Sequence, residues 1–327
     1  MNAKYLGLAA GVAILVLLPL GLQRYGLYIL SLWAVMTIAA IGLNLTLGYA
    51  GQVSLAQGAF VGIGAYTAAL LTTAGFPYIL ALIVAIVLCF VVGWLLGFPA
   101  LRVQHHYLAF VTLAFSTLAF LVFRNEDWLT KGIYGITDVP RPSLFGFSAR
   151  RPLAFCYVCL ASLGGVALLT WFLVQSPWGR AFLALRENPI RALSLGIDTR
   201  RYTLFAFAIG SALGGVSGVL YAPLVEFVDP TPFTLTLSLN LLLMVIVGGS
   251  GYFFGPFLGA LIAVLLPEWL RFAEGYYLLI YAGVVIVLLA YSPRGIIGIV
   301  AGLLAERKTR LASAARAAAT AGYGGPK

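Results

Sequence analysis

Several groups of residues in this sequence are of types that carry out chemistry in other proteins. Cys156 and Cys159 form a Cys-x-x-Cys pair, a spacing that serves redox exchange when a thiolate is exposed and stabilised. This pair opens a long apolar run, which favours two small hydrophobic residues one helical turn apart. His105 and His106 are adjacent, so on a helix their side chains point about 100° apart. They also lack nearby cysteine or carboxylate residues that could complete a metal site. No catalytic residue and no metal-binding residue is therefore predicted.

A glycine run, Gly248-Gly249-Ser250-Gly251, has the composition of a phosphate-binding loop. A Walker A loop, however, requires a Gly-Lys pair followed by Ser or Thr, and the sequence contains no Gly-Lys pair. The run instead predicts a sharp break between two helices, with Pro256 near the start of the second helix. No cofactor is predicted, and since the chain cannot bind ATP in this manner, any energy must come from elsewhere.

Small and amide side chains interrupt the apolar sequence between residues 44 and 66. Asn44, Gln52 and Gln57 cannot leave their hydrogen-bonding groups in hydrocarbon, so they must face protein or water. Either they line a translocation path or they bond neighbouring helices, and the small residues allow helices to approach closely in both cases. The residues assigned to the candidate path are Asn44, Gly48, Gly51, Gln52, Ser54 and Gln57.

The composition requires lipid as the solvent for most of the chain. Of 327 residues, 62% are hydrophobic and 9% are charged, and the mean hydropathy is +1.01. A soluble domain carries about 25% charged residues because its surface faces water. The net charge of +10 does not indicate nucleic-acid binding, since no basic stripe interleaved with aromatic residues accompanies it. The predicted fold class is all-α, a polytopic transmembrane helical bundle.

The number of spans follows from the apolar runs, since a spanning helix needs about 20 mainly apolar residues. About ten helices are predicted, and the run at 53–74 is the most polar of them and the best candidate for a re-entrant segment. Residues 1–304 form the transmembrane domain, with a polar loop at 176–201, and the basic tail at 305–327 is predicted to be disordered. The runs lie at about 5–22, 26–47, 53–74, 78–99, 106–123, 152–175, 202–224, 234–250, 254–272 and 276–292.

The orientation follows from the distribution of lysine and arginine, because basic loops are retained in the cytoplasm. With the N-terminus inside, the inside segments hold 13 basic residues against three acidic ones. The outside segments hold seven of each, so the whole net charge lies on one face. The sequence therefore predicts a multi-pass protein of the cell inner (plasma) membrane with both termini in the cytoplasm.

The loop at 176–201 has turn chemistry that a merely basic loop does not need. Asn188 followed by Pro189 is typical of a helix N-cap with proline in the first turn, and Gly196 suits a left-handed C-terminal residue. Two short amphipathic helices along the cytoplasmic face are predicted. They either rest on lipid headgroups or fit a groove in a cytoplasmic partner. The residues assigned to such a partner contact are Arg180, Arg186, Glu187, Asn188, Arg191 and Gly196.

The same loop carries a family resemblance. Its sequence from Ser176 to Asp198 resembles the cytoplasmic coupling motif of ATP-binding cassette (ABC) importer permeases, and it is most similar to the branched-chain amino acid permease family, in its LivM-type subunit. Further blocks resemble this family in the same order, and together they cover about residues 27–298. These blocks are Gly42 to Tyr66, Tyr107 to Phe115, Gly248 to Ala260 and Pro293 to Gly298.

The resemblance implies a permease subunit of an ABC importer, and therefore no enzyme activity in the chain itself. Such a subunit translocates leucine, isoleucine and valine across the inner membrane by ATP-driven alternating access. Relatives specific for urea, short amides or other carboxylates are the nearest alternative. The implied partners are a second, homologous permease subunit, two cytoplasmic ATP-binding subunits, a periplasmic or lipid-anchored solute-binding protein and membrane lipid.

A stand-alone channel or secondary carrier is the alternative from another class. Such carriers usually place acidic residues or lysines deep in their spans as ion relays. The sequence places none deep in a predicted span, which disfavours this alternative.

Overall fold

The structure, a computed structural model, describes residues 15–100, 105–144 and 147–269, together with residues 283, 286 and 295–298. Most of the predicted run at 5–22, nearly all of the run at 276–292 and the tail at 305–327 lie outside the described residues. The helices are α1 (Arg24–Leu43), α2 (Gln57–Thr73), α3 (Tyr78–Ala100), α4 (His105–Asn125), α5 (Asp127–Thr130), α6 (Pro152–Gln175), α7 (Pro177–Glu187), α8 (Pro189–Ser194), α9 (Thr199–Val225), α10 (Leu235–Gly248) and α11 (Gly255–Trp269).

Shorter elements complete the described part of the chain. A π-helical turn continues α1 at Asn44–Tyr49, and 3₁₀ turns lie at Leu18–Gly21, Gly132–Tyr134 and Thr231–Phe233. The strands β1 (Ser143–Leu144) and β2 (Phe147–Ser148) pair antiparallel in a small hairpin.

Five described segments are long and apolar enough to cross a membrane, and α10 and α11 are shorter apolar helices. The prediction of an all-α transmembrane bundle is confirmed. The five segments are Arg24–Tyr49, Tyr78–Phe98, Leu108–Asn125, Pro152–Gln175 and Thr199–Val225.

The centre of the bundle is formed by α1, α2 and α9. In the most apolar 18-residue window of each helix, 83% of residues are buried in α9 and 67% in the α1 segment, against 22% in α3. Apolar side chains on the outside of a membrane protein face lipid, so the low burial of α3 suits a peripheral helix. The central helices are therefore held by protein contacts on nearly all sides.

Glycines allow these central helices to touch at backbone distance. A Cβ atom built on Gly64 of α2 would lie 2.8 Å from both Cα and the carbonyl carbon of Gly215 in α9. One built on Gly42 of α1 would lie 2.6 Å from the carbonyl oxygen of Gly210. Because lipid gives helices no hydrophobic drive to associate, this close van der Waals contact is a main source of their packing energy. The sequence-based assignment of the glycines to close packing holds at these positions.

The predicted segment 53–74 divides into a non-helical stretch and a 17-residue helix, α2. The Ser54 hydroxyl accepts a hydrogen bond from the Ala56 amide, and the Thr112 hydroxyl accepts one from the Leu55 amide at 3.0 Å. Side chains that bond local amides in this way compete with helix formation. As a result α2 begins at Gln57, at the level of Gly210, which lies eleven residues into α9.

Helix α6 joins the 126–151 loop to the 176–198 loop, so these two loops lie at opposite ends of the bundle. At the end with the 126–151 loop, Ile136 and Val228 form a β-bridge. Arg141 pairs there with Glu226 at 2.9 Å. The 126–151 loop is thereby fastened to the segment that connects α9 and α10. The other end, with residues 176–198, is called the loop end below.

Candidate functional site

The loop end carries the two short helices that the sequence predicts, α7 and α8. The Ser176 hydroxyl caps α7 by accepting a hydrogen bond from the Trp178 amide at 3.1 Å. The Asn188 side chain caps α8 by accepting hydrogen bonds from the amides of Ile190 at 3.1 Å and Arg191 at 3.0 Å. Gly196 has φ +81°, the left-handed conformation expected of it. The predicted cap and C-terminal glycine are confirmed.

One face of α7 fastens the loop to the bundle. Phe182 is 0% exposed and packs in a cluster with Leu45, Tyr49 and Ala206. These partners belong to the π turn that continues α1 and to α9. A displacement of α7 therefore acts on two central helices at once, since packed interiors transmit strain rather than absorb it.

Three apolar residues of α8 and its C-terminal cap are exposed, an arrangement that the amphipathic pattern does not predict. Ile190, Leu193 and Leu195 are 81%, 62% and 77% exposed. Exposed apolar residues grouped in this way on a short, rigid element are typical of a protein or membrane contact. The signal is present in the sequence as an Ile and two Leu among the charged residues of the loop, but an amphipathic pattern favours the inner side of a helix for such residues.

The charged residues predicted for the partner contact lie in the same region. Arg180, Glu187 and Arg191 are exposed, as the amphipathic pattern predicts. Arg186 is exposed as well, and in addition its Nη1 atom donates a hydrogen bond to the backbone carbonyl of Gly48, in the π turn after α1. Its guanidinium therefore joins the loop to the bundle.

Three of the six predicted translocation residues lie near Arg186. Asn44 and Gly48 meet the turn at residues 249–254, which connects α10 and α11, and Gly51 lies against Arg186. The Asn44 side chain accepts a hydrogen bond from the Gly251 amide at 2.9 Å and donates one to the Tyr252 carbonyl at 3.1 Å. We call this meeting of Asn44–Gly51, Arg186 and residues 249–254 the glycine junction.

The other three predicted translocation residues lie deeper. The Gln57 Nε2 atom donates hydrogen bonds to the carbonyls of Ala39 and Gly210, both at 3.1 Å, and thereby ties α1, α2 and α9 together. Ser54 and Gln52 are buried in the non-helical stretch that leads from the glycine junction to α2. Asn44 and Gln57 thus use their amides to bond neighbouring elements, and a role for all six residues in a translocation path stays a prediction.

Metal chemistry has no obvious location in the described part of the chain. Among residues 15–100, 105–144 and 147–269, no three His, Cys, Asp or Glu side chains come together as a metal site. The three cysteines are buried and unpaired by disulfides. The described geometry is that of a helical bundle with an exposed, capped loop at one end.

Comparison with known proteins places this geometry in a family. The family model described as "Branched-chain amino acid transport system / permease component" matches residues 25–290. No solved structure matches the chain.

Three relatives illustrate the range of the similarity. The high-affinity branched-chain amino acid transport system permease protein LivM of Escherichia coli K12 is 34% identical over 313 residues, covering 88% of this chain and 74% of the relative. The probable branched-chain amino acid transport permease protein LivH of Methanocaldococcus jannaschii is 29% identical over 286 residues, covering 81% and 89%. The autoinducer 2 import system permease protein LsrC of Escherichia coli O9:H4 is 23% identical over 275 residues, covering 82% and 77%.

The match therefore extends over nearly the whole described bundle, including the 176–198 loop and the glycine junction. Taken with the five apolar spans, it identifies a multi-pass membrane protein. The chain belongs to the family of permease components of branched-chain amino acid transport systems.

Proposed function

We propose that this chain is the permease subunit of an ABC importer for branched-chain amino acids, driven by ATP that separate subunits hydrolyse. The observation that carries the proposal is the capped loop at 176–198, which presents an apolar ridge of Ile190, Leu193 and Leu195 at one end of a permease bundle. An importer whose own chain has no Gly-Lys phosphate loop needs such a contact to receive energy.

The ridge fits a groove in an ATP-binding subunit better than a lipid surface. A helix that rests on a bilayer buries a long apolar face, whereas α8 has only six residues and is capped at both ends. Recognition of a short helix in a protein groove uses a few apolar anchors of this kind. The exposed Arg180, Glu187 and Arg191 belong to the same loop and suit the polar rim of such an interface.

Transport in this proposal is a two-state process without covalent chemistry. Closure of the ATP-binding subunits displaces α7 and α8 and changes the relative stability of outward-open and inward-open arrangements of the bundle. A ligand or partner can shift such an equilibrium only by its differential affinity for the two states. In this orientation the loop end and both termini face the cytoplasm, and residues 126–151 face a solute-binding protein outside.

A second permease subunit belongs to the proposed assembly. Relatives of this chain include both LivM and LivH permease proteins, and Methanocaldococcus jannaschii has one of each. We infer that this chain pairs with a homologous permease, and that solute passes between the two. Two ATP-binding subunits and a periplasmic or lipid-anchored solute-binding protein complete the importer.

The proposed substrates can be tested by competition. Proteoliposomes containing the complete importer should accumulate radiolabelled leucine when ATP is enclosed and the loaded binding protein is outside. Excess unlabelled isoleucine or valine should abolish this signal, because a site that accepts one branched side chain discriminates only weakly against another of similar volume. Urea and acetamide serve as controls and should leave it unchanged. Competition by urea or acetamide alone would assign the importer to short amides instead.

A further inference from the structure

The glycine junction brings together three parts of the chain that are distant in sequence. They are Asn44–Gly51 after α1, Arg186 of α7 and the α10–α11 turn at residues 249–254. The Arg186 guanidinium donates to the Gly48 carbonyl. A Cβ atom built on Gly51 would lie 3.3 Å from Cα of Arg186, and one built on Gly251 would lie 3.1 Å from its Cζ atom. The α7 arginine thus lies against the end of the α1 segment and against the α10–α11 turn.

The backbone at the junction is shaped to receive this side chain. Gly51 and Gly251 have φ of +70° and +83°, values that residues with a Cβ rarely adopt. The Nη1 atom of Arg186 occupies the space that a side chain at position 251 would need. The close contact between Arg186 and this backbone therefore depends on the positive φ of Gly51 and Gly251 and on their lack of a side chain.

The acceptor at Gly48 belongs to a break in a helix. Helix α1 passes into the π turn Asn44–Tyr49, and the chain then becomes non-helical. Carbonyls at the end of a helix have no partner within it and must be satisfied from outside, while π turns inside helices are frequent at functional positions. Arg186 supplies a charge-assisted donor, which is stronger than a neutral one.

A second link extends the contact across the junction. Asn44 bonds both the Gly251 amide and the Tyr252 carbonyl, so the α1 break and the α10–α11 turn are joined to each other. Arg186 contacts both the α1 break, at Gly48, and the α10–α11 turn, at Gly251. Movement of α7 is thereby transmitted through one side chain to two helix breaks, in addition to the apolar contact of Phe182.

We propose that Arg186 is a positioning residue that transmits the displacement of the α7–α8 loop to the α1 break and the α10–α11 turn. The proposal rests on the proposed importer function and adds to it the residue through which the loop acts on the bundle. Arg186 was assigned from sequence to the contact with the ATP-binding subunit, whereas this proposal gives it an inward role.

The test measures the number of solute molecules transported per ATP hydrolysed by the complete importer in proteoliposomes. For Arg186→Ala, ATP hydrolysis and the amount of bound ATP-binding subunit should stay near wild-type values. The number of solute molecules transported per ATP should fall about tenfold or more, because the variant loses one charge-assisted hydrogen bond that biases a conformational equilibrium. Arg186→Lys should give an intermediate ratio, because a lysine supplies charge but not the planar fork of donors.

Arg201→Ala is the matched control. Arg201 lies at the same end of the bundle, its side chain is 80% exposed, and the ion pair that it makes within the described residues is with Asp198 in the same turn. Its removal should leave the ratio unchanged, since exposed ion pairs contribute little. An Arg186→Ala importer with the ratio of wild type, or one that loses assembly instead of coupling, overturns the proposal.

A double-mutant cycle tests the contact by a readout that does not need transport. Gly251→Ala should lower the melting temperature of the purified importer more in the wild-type background than in the Arg186→Ala background. In wild type the added methyl group at position 251 collides with the Arg186 guanidinium, and alanine at position 186 removes this collision. The backbone strain at φ +83° is the same in both backgrounds. Equal effects in both backgrounds overturn the proposed contact. If the wild-type importer shows no ATP-driven uptake, both the proposed function and the positioning role of Arg186 are wrong. If wild type shows uptake and Arg186→Ala transports as many solute molecules per ATP as wild type, only the positioning role is wrong.

Discussion

Replacing Ile190, Leu193 and Leu195 with serine is expected to abolish transport by separating the permease from its ATP-binding subunits. The three side chains are largely exposed on α8, so the change should leave the bundle itself intact. Burying one aliphatic side chain in an interface contributes about 1.5–3 kcal/mol. Loss of all three should weaken the association at least about a hundredfold, allowing for non-additive effects. Co-purification of a tagged ATP-binding subunit from detergent extracts measures this directly.

The opposite end of the bundle offers a matched control. Leu129, Ile133 and Tyr134 are also exposed, at 39%, 64% and 79%, and replacing them with serine removes comparable apolar surface. This triple variant should retain the ATP-binding subunit at the wild-type level. Equal retention by the α8 variant would show that the ridge does not contact that subunit.

Gly64→Ala is expected to destabilise the bundle strongly. The added Cβ would fall 2.8 Å from two backbone atoms of Gly215, closer than real Cβ contacts, and still nearer its carbonyl oxygen. Backbone atoms cannot escape by a rotamer change, so α2 and α9 must separate. Overpacking of this kind costs about 3 kcal/mol. The loss should appear as a lower melting temperature in detergent and as reduced yield of monodisperse protein.

Gly165→Ala in α6 provides the control for this prediction. A Cβ atom on Gly165 would have no atom within 4 Å, so the added methyl group has room. Alanine is a better helix former than glycine by about 1 kcal/mol, so this variant should melt at or above the wild-type temperature. A Gly64→Ala protein as stable as the Gly165→Ala protein would contradict the close packing of α2 against α9.

The apolar periodicity was sufficient to predict most of the bundle. The run at 152–175 coincides with α6 and the run at 78–99 with α3, because a helix surrounded by lipid or other helices needs apolar residues on every face. The caps of the loop were equally readable, since Asn188-Pro189 and Gly196 have strong positional preferences.

The start of α2 could not be predicted from the same signal. Hydropathy does not distinguish helix from extended backbone at residues 53–56. The helix is delayed there by the hydroxyls of Ser54 and Thr112, and Thr112 is 57 residues away in sequence. Such a contact exists only once α4 has packed against α2.

The glycine junction could not be predicted from the sequence for a similar reason. The sequence marks Asn44, Gly48 and Arg186 as unusual, but their proximity depends on the packing of α7 against the α1 segment. A charged residue in an amphipathic pattern is assigned to the outer face, whereas Arg186 reaches back to a carbonyl freed by the helix break. Long side chains can reverse the direction that helical periodicity assigns them.

ATP-driven uptake by proteoliposomes tests the central claim most directly. The chain alone and the complete importer are reconstituted in parallel, with ATP enclosed and labelled leucine presented on its binding protein outside. We predict accumulation only by the complete importer, and none when its ATP-binding subunits carry a substitution in their own phosphate-loop lysine. Accumulation of leucine by the isolated chain without ATP would contradict the account and identify a stand-alone carrier.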